Sequence, residues 1–142
     1  MVAKQLSVFI ENRQGRLGEV LNVLKANGVN ILSLSLADTT EYGLLRLIVS
    51  DPLLGKEKLA EDGFSTMLTN VLVLKINHEA GSLQGLLKIL ADDDVNIEYM
   101  YGLSIDGDEA SVVLKASDLE KADKVLTAHG VQTLSTDEIA AF

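Results

Sequence analysis

The spacing of apolar residues along the first 25 positions changes from that of a strand to that of a helix. Between Leu6 and Ile10 every second residue is apolar, which predicts a β-strand with one buried face. Between Leu17 and Leu24 apolar residues recur three or four positions apart, which predicts an amphipathic helix. A polar loop containing Gly15 separates the two elements.

Both patterns return 66 positions later, and single residues return with them. Gly15 is matched by Gly81, and Asn30 is matched by Asn96. The offset persists through strand, loop and helix, so the chain is an internal duplication. The question of function therefore becomes what one unit does and what two units do together.

The remaining elements follow in the same order in each copy. Turn-forming and helix-starting residues separate further apolar runs. In the first copy, the second strand is predicted at Val29–Ala37, the third strand at Leu44–Ser50, the second helix at Lys56–Glu61 and the fourth strand at Phe64–Leu68. In the second copy, the same elements are predicted at Val95–Ile105, Ala110–Ala116, Leu119–His129 and Val131–Leu134. The second helix is expected to be short in the first copy. The tail from Ser135 to Phe142 is predicted either to dock or to fray.

The order βαββαβ, found twice, predicts an α+β fold of two ferredoxin-like units. Each unit is expected to have a four-stranded antiparallel sheet with both helices on one face. The predicted domains are residues 1–69 and 70–142. Units of about 71 residues bury little apolar surface alone, so we expect them to pair edge to edge or by stacking.

Composition restricts the possible partners. The chain carries 21 acidic and 12 basic residues, for a net charge of −9, which opposes nucleic-acid binding. It has no cysteine and two histidines, so disulfides, cysteine nucleophiles and multi-histidine metal sites are excluded within one chain. No membrane span or signal peptide is visible, and the expected location is the cytoplasm. Small molecules and proteins remain as partners, and no cofactor is expected.

The residues around the two glycines resemble those of the ACT domain family. An Asn or His followed by a Gly-x-Leu helix start, and then by an Asn-Ile strand start 15 residues after the glycine, occurs in both copies. The resemblance covers nearly the whole chain. It implies a regulatory module that binds a small ligand, most often an amino acid, at the interface between two units. The family commonly has Asp, a basic residue and Pro before the glycine, and this chain departs from that pattern. The positions that the resemblance marks for ligand binding are Asn12, Arg13, Gln14, Gly15, Arg16, Leu17, Asn30, Ile31, His78, Glu79, Ala80, Gly81, Ser82, Leu83, Asn96 and Ile97.

Elementary chemistry supports a ligand in these loops. The first turn of a helix offers backbone N–H groups without intrahelical partners, which suit a carboxylate. Arg16 is a cation at a helix start, where the helix dipole disfavours it unless an anion is present. We therefore hypothesise that a ligand carboxylate favours the loop from Arg13 to Leu17. In the second copy, Glu79 or His78 is expected to contact an amino group or a polar side chain.

Each candidate residue also has a purely structural interpretation. The two glycines can simply make the strand-to-helix turn, and Asn30 and Asn96 can satisfy backbone groups at a strand entrance. Arg13 and Arg16 can be solvated surface cations.

Three classes of function follow from the sequence. The favoured one is an amino-acid-binding regulatory protein, not an enzyme, that acts in trans on a metabolic enzyme or transporter and forms homo-oligomers. The second is an interaction module whose sheets assemble oligomers without a ligand. The third is an enzyme that uses the ferredoxin-like scaffold as a shallow active site.

Overall fold

The computed structural model describes residues 1–11, 13–38, 41–76, 79–104 and 110–141. Within these residues there are six strands and five helices. In chain order they are β1 (Ala3–Glu11), α1 (Arg16–Ala26), β2 (Ile31–Asp38), β3 (Tyr42–Val49), α2 (Pro52–Glu61), β4 (Ser65–Ile76), α3 (Ser82–Asp92), β5 (Ile97–Ser104), β6 (Ala110–Ala116), α4 (Leu119–Ala128) and α5 (Thr136–Ala140). The predicted α+β fold of repeated ferredoxin-like units is confirmed.

The chain forms two compact units. The first unit contains Lys4–Thr69, and the second contains Asn70–Phe142 together with Met1–Ala3. Strand β4 supplies residues on both sides of residue 69, so the predicted separate strands at 64–68 and 72–76 are one continuous strand.

In the first unit the strands lie in the order β2-β3-β1-β4. Strand β3 pairs antiparallel with both β1 and β2, and Leu47 is opposite Leu6 on one side and Leu34 on the other. Alternate residues of β1 and β3 face α1 and α2, and together they form an apolar core. The buried members of this core include Leu6, Leu24, Leu45, Leu47, Leu59 and Phe64.

Helix α2 begins at Pro52, four residues before the predicted start, and it is as long as α4. Asp51 caps it, since its carboxylate accepts the Leu54 N–H at 3.1 Å. Gly55 lies inside this helix, although glycine is unfavourable at helix-interior positions. Its missing side chain has a packing reason: a Cβ there would lie 3.1 Å from Leu6 Cδ2 and 3.2 Å from Leu24 Cδ2.

The second unit has the strand order β4-β6-β5, with Leu114 opposite Leu72 and Met100. Its core repeats that of the first unit, with Leu86 and Leu90 from α3 and Leu126 from α4 against Leu72, Leu74 and Leu114. The predicted fourth strand at Val131–Leu134 is wrong in extent. Among the described residues, this segment forms only an isolated bridge, in which Thr133 lies opposite Leu74. The Lys75 N–H donates to the Gln132 carbonyl and the Leu134 N–H donates to the Val73 carbonyl.

The tail docks onto the second unit. Ser135 and Glu138 form a reciprocal capping box at the start of α5, and Ile139 is buried. Of the two outcomes left open for 135–142, the structure shows the docked one for the residues up to Ala141.

Candidate functional site

Each unit has a strand-to-helix turn built on a glycine with positive φ. Gly15 has φ 87° and Gly81 also has φ 87°, the left-handed region that residues with a Cβ adopt at a cost. A Cβ at either position would meet nothing within 4 Å. The backbone conformation, rather than crowding by protein atoms, therefore requires glycine at each turn.

These turns leave the following helices without a side-chain cap at their N-cap positions. Asp51, Asp118 and Ser135 cap α2, α4 and α5 with side-chain oxygens, whereas glycine occupies the N-cap of α1 and α3. The uncapped helices are the ones that follow the first strand of each copy. The first-turn N–H groups and the positive end of the helix dipole can therefore act on an external anion.

In the first unit, the two arginines of the turn have partners within the protein. Arg13 forms an exposed ion pair with Glu11, at 3.1 Å. The side chain of Arg16 is only 17% exposed, its Nη1 donates to Glu19, and its guanidinium carbon lies 4.3 Å from the centre of the Phe64 ring. Its Nε is buried and has no hydrogen-bond partner among the described residues. Gln14 is exposed, and Leu17 packs partly against the first core.

In the second unit, the turn is more open. Glu79 and Ala80 are exposed, and the Ser82 N–H donates to the Glu79 carbonyl at 3.2 Å. Leu83, the counterpart of Leu17, is 40% exposed.

A cavity of about 460 Å³ lies beside this turn within the second unit. Its lining includes Ile76, Ser82, Gly85, Leu86, Ile89 and Val131. Of these residues, the sequence prediction named only Ser82. Among the others, Gly85 and Val131 are smaller than their counterparts Glu19 and Phe64, whereas Leu86 and Ile89 are larger than Val20 and Val23.

The predicted asparagines lie at strand entrances. The Asn30 N–H donates to Ser50 Oγ, and the Ser50 N–H donates back to the Asn30 carbonyl, both at 2.9 Å. Asn96 Nδ2 donates to Ser117 Oγ at 3.1 Å, and the Ser117 N–H donates to the Asn96 carbonyl at 3.0 Å. Ile31 and Ile97, the next residues, pack partly against their own cores.

Within one unit, the glycine turn and the asparagine lie at opposite ends of the sheet. Glu11, at the end of β1, is opposite Tyr42 at the start of β3, whereas Ile31 is opposite Val49 at the end of β3. Helix α1, with 11 residues, spans the distance between these ends, roughly 16 Å. One small molecule therefore cannot contact both Gly15 and Asn30 of the first unit. The second unit repeats the arrangement.

Two predicted site residues, Asn12 and His78, lie outside the described residues. Within the described ranges, no cluster of three or more histidine and carboxylate side chains is placed to hold a metal ion. The cavity beside the second turn combines the polar residues Ser82, Lys75 and Gln132 with aliphatic walls, a combination typical of small-molecule binding sites.

Two copies of the βαββα order, each with a glycine turn before its first helix, are the fold and turn geometry of ACT-like ferredoxin-type units. The chain belongs to the family described as the ACT domain pair, which matches residues 1–142. ACT domain pairs are typical of ligand-binding regulatory proteins.

Solved structures agree with this assignment. Protein BT0572 from Bacteroides thetaiotaomicron is 36% identical, with a TM-score of 0.94 over 100% of this chain and 98% of that one. The ligand-free regulatory subunit of aspartate kinase from Thermus thermophilus is 15% identical, with a TM-score of 0.59 over 88% and 91% of the two chains. The regulatory subunit of aspartate kinase from Thermus flavus is 17% identical, with a TM-score of 0.58 over 88% of this chain and 90% of that one. The last two share the fold.

No curated protein matches the sequence. Among the described helices, none has the length and apolar character needed to cross a membrane.

Proposed function

We propose that this protein is a regulatory protein that binds a small carboxylic acid, in particular an amino acid, and passes its occupancy to a partner enzyme or transporter. The observation that carries the proposal is the glycine N-cap of α1 and α3, repeated in both copies, where other described helices carry a capping side chain. Such helix starts are suited to hold a carboxylate.

The family supports the regulatory part of this proposal. ACT domain pairs are regulatory, and two neighbours of similar fold are named as regulatory subunits of aspartate kinase. A chain of this kind acts on a metabolic enzyme in trans if its ligand binds one conformation more tightly than another. The cytoplasm as location, and a ligand held between two ACT units, stay predictions.

The proposal differs from the sequence-based hypothesis in where it puts the ligand carboxylate. That hypothesis gave the carboxylate to the loop from Arg13 to Leu17. Both arginines there are partnered inside the first unit, Arg13 by Glu11 and Arg16 by Glu19 and Phe64. The proposal therefore gives the carboxylate to the turn at Gly81, where Ser82 replaces the cation.

A thermal-unfolding screen of the purified chain tests the function. The twenty amino acids and a set of 2-oxo acids are added at millimolar concentration, and the midpoint of unfolding is measured. A ligand at a hundredfold excess over its Kd adds about 2.7 kcal/mol to the free energy of unfolding. One compound or a small chemical series that raises the midpoint supports the proposal, and no response from any compound refutes it.

A second candidate function has one observation in its favour. Leu34 and Leu36 are each 47% exposed on β2, the edge strand of the first unit. Apolar edge strands favour pairing with another chain. An interaction module without a ligand would therefore show self-association that the Leu34→Lys variant abolishes, together with a negative ligand screen.

A further inference from the structure

Three positions near the glycine turn carry large side chains in the first unit and small ones in the second. Arg16 and Ser82 are each the first residue of their helix, and each N–H donates to the carbonyl three residues earlier. Phe64 and Val131 also correspond, because each N–H donates at 3.0 Å to the carbonyl of the buried leucine five residues earlier. Glu19 corresponds in the same way to Gly85.

In the first unit the Arg16 side chain contacts the other two. The Arg16 guanidinium covers the Phe64 ring at 4.3 Å and donates to the Glu19 carboxylate. A cation over an aromatic face with a carboxylate partner is a stable arrangement. The region beside the first turn is therefore occupied by the protein itself.

In the second unit the counterparts leave a cavity, which we call the Ser82 cavity. Ser82, Gly85 and Val131 all line its volume of about 460 Å³, a size typical of small-molecule sites. A Cβ on Gly85 would meet nothing within 4 Å, so no other protein atom fills the space that the side chain of Glu19 takes in the first unit.

The lining indicates the chemistry of an occupant. The apolar side chains are all aliphatic, from Ile76, Leu86, Ile89 and Val131, and they suit a short branched hydrocarbon tail. The polar lining residues are Ser82, at the uncapped start of α3 where an anion is stabilised, together with Lys75 and Gln132. Tail and charge are therefore within one unit and need no contribution from Asn96, at the far end of the sheet.

We propose that the Ser82 cavity binds a small carboxylic acid with a branched aliphatic tail, one molecule per chain, and that Arg16 and Phe64 close the equivalent region of the first unit. This inference rests on the proposed function and assigns its ligand class and its site. Both branched-chain amino acids and their 2-oxo acids have the required chemistry.

Titration calorimetry with defined probes tests the inference. Leucine and valine represent the amino acids, and 4-methyl-2-oxopentanoate represents the 2-oxo acids. Glycine lacks the tail and 3-methylbutylamine lacks the carboxylate, so neither binds. If only the amino acids bind, the ligand is a branched-chain amino acid. If only 4-methyl-2-oxopentanoate binds, the ligand is a 2-oxo acid.

Ser82→Arg restores in the second unit the residue that closes the first. It raises the Kd of the best probe about 100-fold, within the range that one misfitting group costs in an apolar pocket. The matched control is Gln84→Arg, which adds the same side chain at an exposed position two residues away, outside the cavity lining, and leaves the Kd unchanged. Gly85→Leu fills the cavity from an exposed helical position and serves as a second variant should Ser82→Arg fail to fold.

The outcomes separate the inference from the proposed function. Loss of binding in Ser82→Arg or Gly85→Leu, with binding retained in Gln84→Arg, supports the inference. Unchanged affinity in both cavity variants overturns it and leaves the regulatory function in place with a site elsewhere. Binding of polar amino acids only overturns the ligand class. No binding of any acid overturns both proposals.

Discussion

The guanidinium of Arg16 lies 4.3 Å from the centre of the Phe64 ring, although Arg16 begins a helix and Phe64 follows the other helix of the same unit. A cation at a helix start is disfavoured by the dipole, so its position needs a compensating contact. Phe64 and Glu19 supply that contact in the first unit. The second unit lacks all three side chains and contains a cavity where their counterparts lie.

The Arg16→Ala variant is expected to lose stability without losing ligand affinity. It removes the contact with Phe64, which is buried and would become exposed, and we expect the free energy of unfolding to fall by about 1–2 kcal/mol. Chemical denaturation measures this change, and calorimetry measures the Kd. A large loss of affinity would return the ligand carboxylate to the first loop.

Arg13→Ala is the matched control for that experiment. Arg13 lies in the same turn, but its side chain is 61% exposed and its partner Glu11 is 62% exposed. Exposed ion pairs contribute little, so the unfolding midpoint should stay unchanged. Equal losses in the two variants would mean that the Phe64 contact does not stabilise the unit.

Alanine substitution should lower the free energy of unfolding at the turn glycine and raise it at a neighbouring helical glycine. Gly15→Ala forces a Cβ into the left-handed conformation at φ 87° and should lower the free energy of unfolding by about 1–2 kcal/mol. Gly18→Ala, one turn later in α1 and also in open space, should raise it by about 0.5–1 kcal/mol. Paired denaturation curves check the two signs, and a stabilising Gly15→Ala would contradict the account.

The helix ends differ between copies in a way that predicts a stabilising variant. Gly28 follows α1 with φ 69°, whereas Asp94 takes the equivalent place after α3 with φ 58°. Asp94→Gly should raise the free energy of unfolding by about 1 kcal/mol, because glycine adopts this conformation without steric cost.

Asp93→Gly serves as the control for that substitution, since Asp93 has φ −102° and the change removes the same charge beside the same helix end. A gain in the Asp93 variant as large as in the Asp94 variant would assign the effect to charge rather than to backbone conformation.

The duplication made most of the fold predictable from sequence. Two copies of one pattern, 66 positions apart, supported each assignment twice, and strand β6 was predicted at its observed bounds, Ala110–Ala116. The start of α2 was predicted at Lys56, four residues late, and the predicted helix therefore left out Gly55. Its close approach to Leu6 and Leu24 is a tertiary effect that local spacing does not express.

The extent of strand β4 was also missed. The prediction followed the repeat, with one domain ending at residue 69 and the next beginning at residue 70, so it ended one strand before that boundary and began another after it. The spacing of a repeat does not show that one strand continues across the boundary between the copies.

For the candidate site, the sequence identified the glycine turns but not the cavity. The prediction relied on residues shared by the two copies, such as Gly81 and Asn96, and among the residues that differ it considered charged side chains rather than side-chain volume. The cavity arises from residues that differ, above all Ser82 and Gly85. A comparison of side-chain volume between copies would have found that difference, although only the structure brings Val131 next to them.

The central claim is that two similar units have become unequal, with a ligand site in the second alone. Titration calorimetry of the unmodified chain, with the aliphatic acid that raises the unfolding midpoint most, tests it directly. The account predicts one molecule bound per chain, with a negative heat-capacity change from burial of the apolar tail. Two equivalent molecules per chain would contradict the inequality of the units, and the absence of binding at millimolar concentration would contradict the site itself.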